Sequence, residues 1–184
     1  MPGAGGIRAV DFMTTVPPHD GASLIILPPG SILEALIGSR KTNDRIVDFP
    51  ALCAISKQSS ICAAWHATKF KSIDDARSAQ MTVAGTGAGS STDIYPVVMN
   101  EVLATNFGGI TGFQGSQASS LATERGADDG RCGWGWSSLK STSSNWIKES
   151  KLNILLQSGL SRNPGLPDVF LAIDLAQDEE AVAA

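Results

Sequence analysis

The strongest constraint on this chain's fold is the run Gly85-Thr86-Gly87-Ala88-Gly89-Ser90-Ser91, which sits between two apolar segments. Before it, Met81-Thr82-Val83-Ala84 reads as a strand. After it, residues 92–103 read as a helix, with Ile94, Val97, Val98 and Val102 at a 3.6-residue period. Pro96 removes a backbone donor early in that helix and is expected to kink its first turn. A glycine-rich loop lets backbone N–H groups point at a ligand, and the following helix adds its positive end. Together they make an anion site without a lysine or arginine. Ser90, Ser91 and Thr92 add hydroxyls that fit carboxylate or phosphate oxygens. The run lacks the Gly-Lys-Ser/Thr ending of a nucleotide P-loop and the spacing of a dinucleotide fingerprint. A tight turn with a serine cap and no ligand has the same pattern, so both readings stand.

The same grammar recurs along the chain. Ile7, Val10 and Met13 suggest a short helix ended by Pro17-Pro18. His19-Asp20-Gly21 is a turn, residues 23–27 an apolar strand, and Pro28-Pro29-Gly30-Ser31 a break. Ser31 is placed to cap a helix whose buried side is Ile32, Leu33, Leu36 and Ile37, with Gly38 at its end. Residues 61–65 read as a buried strand and 72–77 as a helix. Then come an extended stretch near 109–111, a small-residue helix over 117–125, strands at 131–134 and 153–156, and a helix over 168–176. Alternating strands and helices predict an open α/β sheet.

Composition narrows the function. A net charge of −4 gives no support for nucleic-acid binding. Cys53, Cys62 and Cys132 lack metal spacing, and their odd number argues against a disulfide framework; all three read as small buried residues. No apolar run approaches the about 18 residues needed to span a bilayer. His19 and His66 are the only histidines and sit in no catalytic pattern. Asp128-Asp129 read as a solvated turn, and Asp178-Glu179-Glu180 as a solvated helix end. Trp134 and Trp136 either line a pocket or belong to the core. No catalytic residue, metal ligand or cofactor is expected.

Six segments, read in order, resemble the Bug family, the extracytoplasmic solute receptors of tripartite tricarboxylate transporters. They are Pro2-Gly3-Ala4-Gly5-Gly6, Asp20-Gly21 before an apolar strand, Lys71-Ser72-Ile73-Asp74-Asp75, the run from Gly85 to Ser91, Arg125-Gly126-Ala127-Asp128, and Ser161-Arg162-Asn163-Pro164-Gly165-Leu166-Pro167-Asp168-Val169. The resemblance implies a type II periplasmic-binding fold, two α/β lobes joined by crossover strands and closing on a small carboxylate or dicarboxylate. It implies a ligand loop of Thr86, Gly87, Gly89, Ser90, Ser91 and Thr92 in the second lobe. Pro29, Gly30 and Ser31 would form the first-lobe loop. Gly115 and Ser116 fall where the family has a tyrosine–x–glycine–glycine loop, with Phe113 in place of tyrosine. The implied partners are that ligand and the membrane subunits of the transporter, and the implied location is the periplasm.

The departures shape the expectation. The family's signal peptide, first strand and first glycine-rich loop have no counterpart before Met1, and its chains continue past Ala184. The chain is therefore expected to be an incomplete receptor. Residues 1–64 with about 138–184 would form the first lobe and 65–137 the second, crossing near 61–66 and 134–138. The alternatives are a piece that binds weakly or not at all, and a small α/β enzyme using the loop at 85–91 as an anion site.

Overall fold

The computed structural model describes residues 6–16, 20–27, 29–37, 46, 49–54 and 57–176. The expectations for Pro2 to Gly5, Pro17-Pro18, His19, Pro28, Gly38 and the acidic tail lie outside these residues.

Six uncharged residues, Ser60–Trp65, tolerate burial on both faces and form β1 inside a five-stranded sheet. Next come α3 (Ile73–Ser78), β2 (Met81–Ala84), α4 (Ser91–Leu103), β3 (Phe107–Ile110), α5 (Ser116–Glu124) and β4 (Gly130–Gly135). Two short helices follow, α6 (Trp136–Thr142) and α7 (Ser144–Lys148), then β5 (Leu152–Ser158) and α8 (Ala172–Leu175). Ahead of β1 stand α1 (Ile7–Thr15) and α2 (Pro29–Ile37). The strand order is β3-β2-β4-β1-β5. β2 runs parallel to β3 and β4, whereas β1 is antiparallel to both β4 and β5. The α/β class read from the sequence holds, with the described residues carrying one mixed sheet.

Helices cover both faces. On one, Cys62, Met81, Val83 and Leu156 pack against Ile73, Met99 and Leu103. On the other, Ile61, Ala63 and Trp65 pack under Trp134, Trp136, Leu139 and Trp146. Trp146 meets Trp65 and Trp134 edge-on, with ring centroids 4.9 and 6.1 Å apart. Trp134 and Trp136 are thus core residues. Ser72 caps α3 in a reciprocal box with Asp75, whose carboxylate accepts the N–H groups of Lys71 and Ser72 and is held below its ordinary pKa by them.

Several expectations are corrected. Residues 23–27 form no strand and pair with none among the described residues, and Leu24 and Ile26 are 75% and 77% exposed. Pro29 opens α2, where its fixed φ and missing N–H suit a first helical turn, so Ser31 lies inside the helix rather than capping it. Ile32 is exposed, while Gly30 and Ser31 are buried. In α4 the buried stripe is Thr92, Pro96, Met99 and Leu103, and Val97 faces solvent. The helix anticipated over 168–176 shrinks to α8. Buried Gln157 accounts for this: its side chain donates to the carbonyls of Leu166 and Val169, and its own N–H to that of Phe170, so these carbonyls do not serve a helix.

Asp128 and Asp129 are not a solvated turn. Asp129 ties β2 to β4, accepting the N–H and hydroxyl of Thr82 at 2.8 and 2.7 Å, and Asp128 is buried beneath Thr123. Cys62 and Cys132 are joined by a disulfide between β1 and β4, and Cys53 is exposed and unbonded, so the reading of three buried free thiols fails. The odd count arises because two cysteines pair and one stands apart.

Two outcomes follow. A Cβ at Gly130 would lie 2.8 Å from Ala64 Cα and 2.8 Å from Met81 Cε, so Gly130→Ala should destabilise the fold by about 1–3 kcal/mol in urea unfolding. An alkylating agent should label one cysteine, Cys53, in the denatured unreduced protein and all three after reduction.

Candidate functional site

In a parallel α/β sheet, ligands sit beyond the carboxyl ends of the strands, where loops lead into helices. Here β2 leads into residues 85–90 and β3 into 111–115. The two loops are stitched side by side: the Gly85 N–H donates to Ile110 O at 2.8 Å and the Phe113 N–H to Gly85 O at 3.3 Å. α2 reaches the same place. A Cβ at Gly30 would lie 2.8 Å from the Ser90 carbonyl carbon and closer still to the Ser91 nitrogen, so only glycine lets α2 approach this backbone. The three groups of residues picked out in the sequence thus include one direct meeting, Gly30 on Ser90-Ser91, and one neighbouring pair of loops.

The loop from Gly85 to Ser91 is held from inside. Asp93, in the first turn of α4, accepts the Gly87 N–H at 2.8 Å and the Ser90 hydroxyl. Thr92 accepts the Thr86 N–H at 3.1 Å, and its hydroxyl lies 3.2 Å from that of Thr86 and 3.0 Å from that of Ser90. Ser90 and Thr92 are buried. Gly87 and Gly89 take φ of 116° and 83°, which side-chain-bearing residues rarely adopt. What remains uncommitted is the backbone N–H of Ala88, Gly89, Ser91 and Thr92, with the partly exposed Ser91 hydroxyl; none makes a bond within the described residues. Thus Thr86, Ser90 and Thr92 shape the loop, and the donors left without a partner among the described residues are mainly backbone. Asp93 was absent from the sequence reading, although an acidic residue three places after Ser90 is a recognisable capping signal.

Among the other candidates, Pro29 is exposed and Ser31 buried in α2. Gly115, at φ 86°, precedes α5, and both it and Ser116 are exposed. Beneath them lies a residue the sequence reading passed over. Arg131 in β4 is only 1% exposed, and its guanidinium donates to Ser116 O at 3.3 Å, Ser120 Oγ at 3.1 Å and Ser116 Oγ at 3.4 Å. Its plane packs over Trp134, 4.2 Å from the ring centroid. Burial lowers its pKa to about 10 against the opposing pull of Asp128, so it stays charged at neutral pH. Burial in turn raises the Asp128 pKa, while the Thr123 hydroxyl and Arg131 act to lower it. An arginine inside a strand otherwise made of glycine, cysteine and tryptophan was the available signal.

Among the described residues no group of side chains could hold a metal ion, and no helix is long and apolar enough to cross a membrane. His66 stands at the opposite end of β1 beside Trp65, with its N–H on Lys151 O at 3.0 Å.

No protein-family model and no curated protein matches the chain. Solved structures do. The periplasmic binding protein BugD is matched over 94% of this chain and 57% of its own, with a TM-score of 0.69 at 15% identity. MatC from Rhodopseudomonas palustris with bound malate is matched over 65% of this chain and 40% of its own, at a TM-score of 0.53 and 20% identity. An R. palustris protein, Rpa4515, with adipate gives 66% and 40%, at 0.55 and 12%. The chain spans about half the length of such structures. Over the part it spans, it has the α/β fold of the Bug and TctC periplasmic solute-binding proteins.

Proposed function

We propose that this chain is the ligand-binding part of a solute receptor that captures a small carboxylate or dicarboxylate. One observation carries the reading: the uncommitted N–H groups of Ala88, Gly89, Ser91 and Thr92, at the positive end of α4, next to a loop already bonded to a carboxylate, that of Asp93. Backbone donors at a helix start favour an anion without needing a basic side chain. The malate and adipate held by two proteins of the same fold support the choice of anion. The ligand loops are proposed as Thr86 to Thr92, Pro29 to Ser31 and Gly115-Ser116. Residues 65–137 are proposed as the second lobe, with 1–64 and about 138–184 in the first. Delivery to membrane subunits of a tripartite tricarboxylate-type transporter in the periplasm belongs to the same proposal. The disulfide between Cys62 and Cys132 supports that location, because such bonds persist in oxidising compartments.

Catalysis is the weaker reading. An enzyme built on this loop needs a general base within hydrogen-bond reach, and His66 lies at the far end of β1 from it.

The test is calorimetric titration with malate, adipate and a neutral diamide. The dicarboxylates should bind and the diamide should not. Gly89→Val should abolish binding, since valine cannot adopt φ 83° without displacing the loop. Unchanged affinity in that variant rules the loop out. Asp93→Ala should cost about 1–3 kcal/mol of stability, by leaving the Gly87 N–H unpaired and the Ser90 hydroxyl with Thr92 as its remaining partner, and hydrogen exchange should then quicken across residues 86–90.

A further inference from the structure

We infer that Arg131 is a positioning residue that turns the first turn of α5 into a second anion site, taking the other carboxylate of a small dicarboxylate. The inference rests on the receptor reading above and adds a second charge requirement to it.

Three observations carry it. Arg131 is buried, yet among the described residues no carboxylate lies within ion-pair distance of it. Its bonds go to neutral oxygens at 3.1 to 3.4 Å, and its Nε has no partner. A buried cation in that state is electrostatically incomplete. Second, the helix it lies under lacks a negative group of its own. α5 has no side-chain cap and no acidic residue in its first turn, whereas α3 carries Asp74 and Asp75 there and α4 carries Asp93. A guanidinium beneath the positive end of a helix adds like to like, and an anion outside that end relieves both. Third, the arrangement leaves a donor facing outward. Arg131 gives hydrogens to both the carbonyl and the hydroxyl oxygen of exposed Ser116, so the hydroxyl's own hydrogen and the Ser116 and Gln117 N–H groups are left for an acceptor in solvent.

Asp128 is the competing charge. It attracts Arg131 through space without bonding to it; its Oδ1 accepts the Thr123 hydroxyl at 2.7 Å and its Oδ2 has no partner. It therefore dims the positive potential under α5 without replacing a bound anion. This gives the test a sign that a purely structural role would not give.

The experiment compares the whole chain with Arg131→Met, Arg131→Lys and Asp128→Asn by malate titration and thermal melting, and follows amide resonances during each titration. Arg131→Met should weaken malate about tenfold or more, the loss of one charge-assisted interaction. Arg131→Lys should recover part of that loss, and Asp128→Asn should tighten binding. The Ser116 and Gln117 amides of the unaltered chain should shift as malate saturates. Unmoved Ser116 and Gln117 amides, or equal malate affinity in a folded Arg131→Met, overturn the inference while leaving the loop at 85–91 standing. If Arg131→Met does not fold, the amide shifts and the direction of the Asp128→Asn change decide. If malate does not bind at all, sulfate is the second probe. Sulfate-induced shifts at Ser116 and Gln117, weakened in Arg131→Lys, uphold the anion site while the dicarboxylate reading falls; their absence overturns both.

Discussion

The placement of α4 on β4 depends on one residue, Gly133. Its φ of 74° lets the Ser91 carbonyl come so close that a Cβ there would sit 2.7 Å from Ser91 C and 3.0 Å from Tyr95 Cβ. The first turn of α4, and with it the end of the glycine loop, is pressed onto the sheet at this point. The same residue sits in a bulge. Ile61 pairs with Trp134 and Ala63 with Arg131, so two steps on β1 correspond to three on β4. Without the extra residue, Arg131 and Trp134 would point to opposite faces. With it they share one, and the guanidinium stacks on the indole under α5. Both candidate anion sites therefore hang on a single left-handed glycine.

The mixed polarity of the sheet sets where the rest of the chain can go. β1 begins opposite the end of β4, at Ser60 and Gly135, and β5 ends opposite the start of β1, at Ser158 and Ser60. The chain thus enters and leaves the sheet at the carboxyl ends of β2, β3 and β4. Asn163 bonds Ser59 at 3.0 Å, Gln58 bonds Ser137 at 3.3 Å, and Trp136 donates its N–H to Ser59 O at 2.9 Å, which fastens those two crossings together. Gly30 of α2 meets the Ser90-Ser91 backbone at the mouth of these loops.

Much of this was legible in the residues, and the failures have physical causes. The strands read at 61–65 and 81–84 and the helix read at 92–103 were found within one residue of those bounds, because apolar runs bounded by glycine or serine leave few alternatives. Both α6 and α7 were missed, since Trp136, Leu139 and Trp146 are spaced too sparsely to announce a period. The α4 face was read in part: Val98 and Val102 do pack against the core, but Val97 faces solvent, and the most buried stripe runs through Thr92, Pro96, Met99 and Leu103. Residues 23–27 failed for a different reason: a strand exists only through a neighbour, and alternation survives there, Leu24 and Ile26 outward against half-buried Ile25 and Leu27, with no partner among the described residues. The cysteine pair was invisible because 70 positions separate Cys62 from Cys132 in the chain while the β1–β4 pairing brings them together.

The candidate ligand loop shows why residue type alone points to a site without describing it. Serine and threonine hydroxyls in a glycine-rich loop suggest ligand donors. Here Thr86, Ser90 and Thr92 bond one another, and Asp93 closes the loop from behind. A loop whose side chains satisfy one another before any ligand arrives loses little conformational freedom on binding, so more of the contact energy appears as affinity. Its unpaired donors are then backbone N–H groups, whose positions are fixed by φ rather than by rotamers. That favours recognition of a charge and a shape over recognition of one particular side group. In the receptor proposed above, selectivity among carboxylates must then come from elsewhere. Under the same proposal, the buried charge of Arg131 beneath α5 would reward a second carboxylate and leave a monocarboxylate with nothing to meet it.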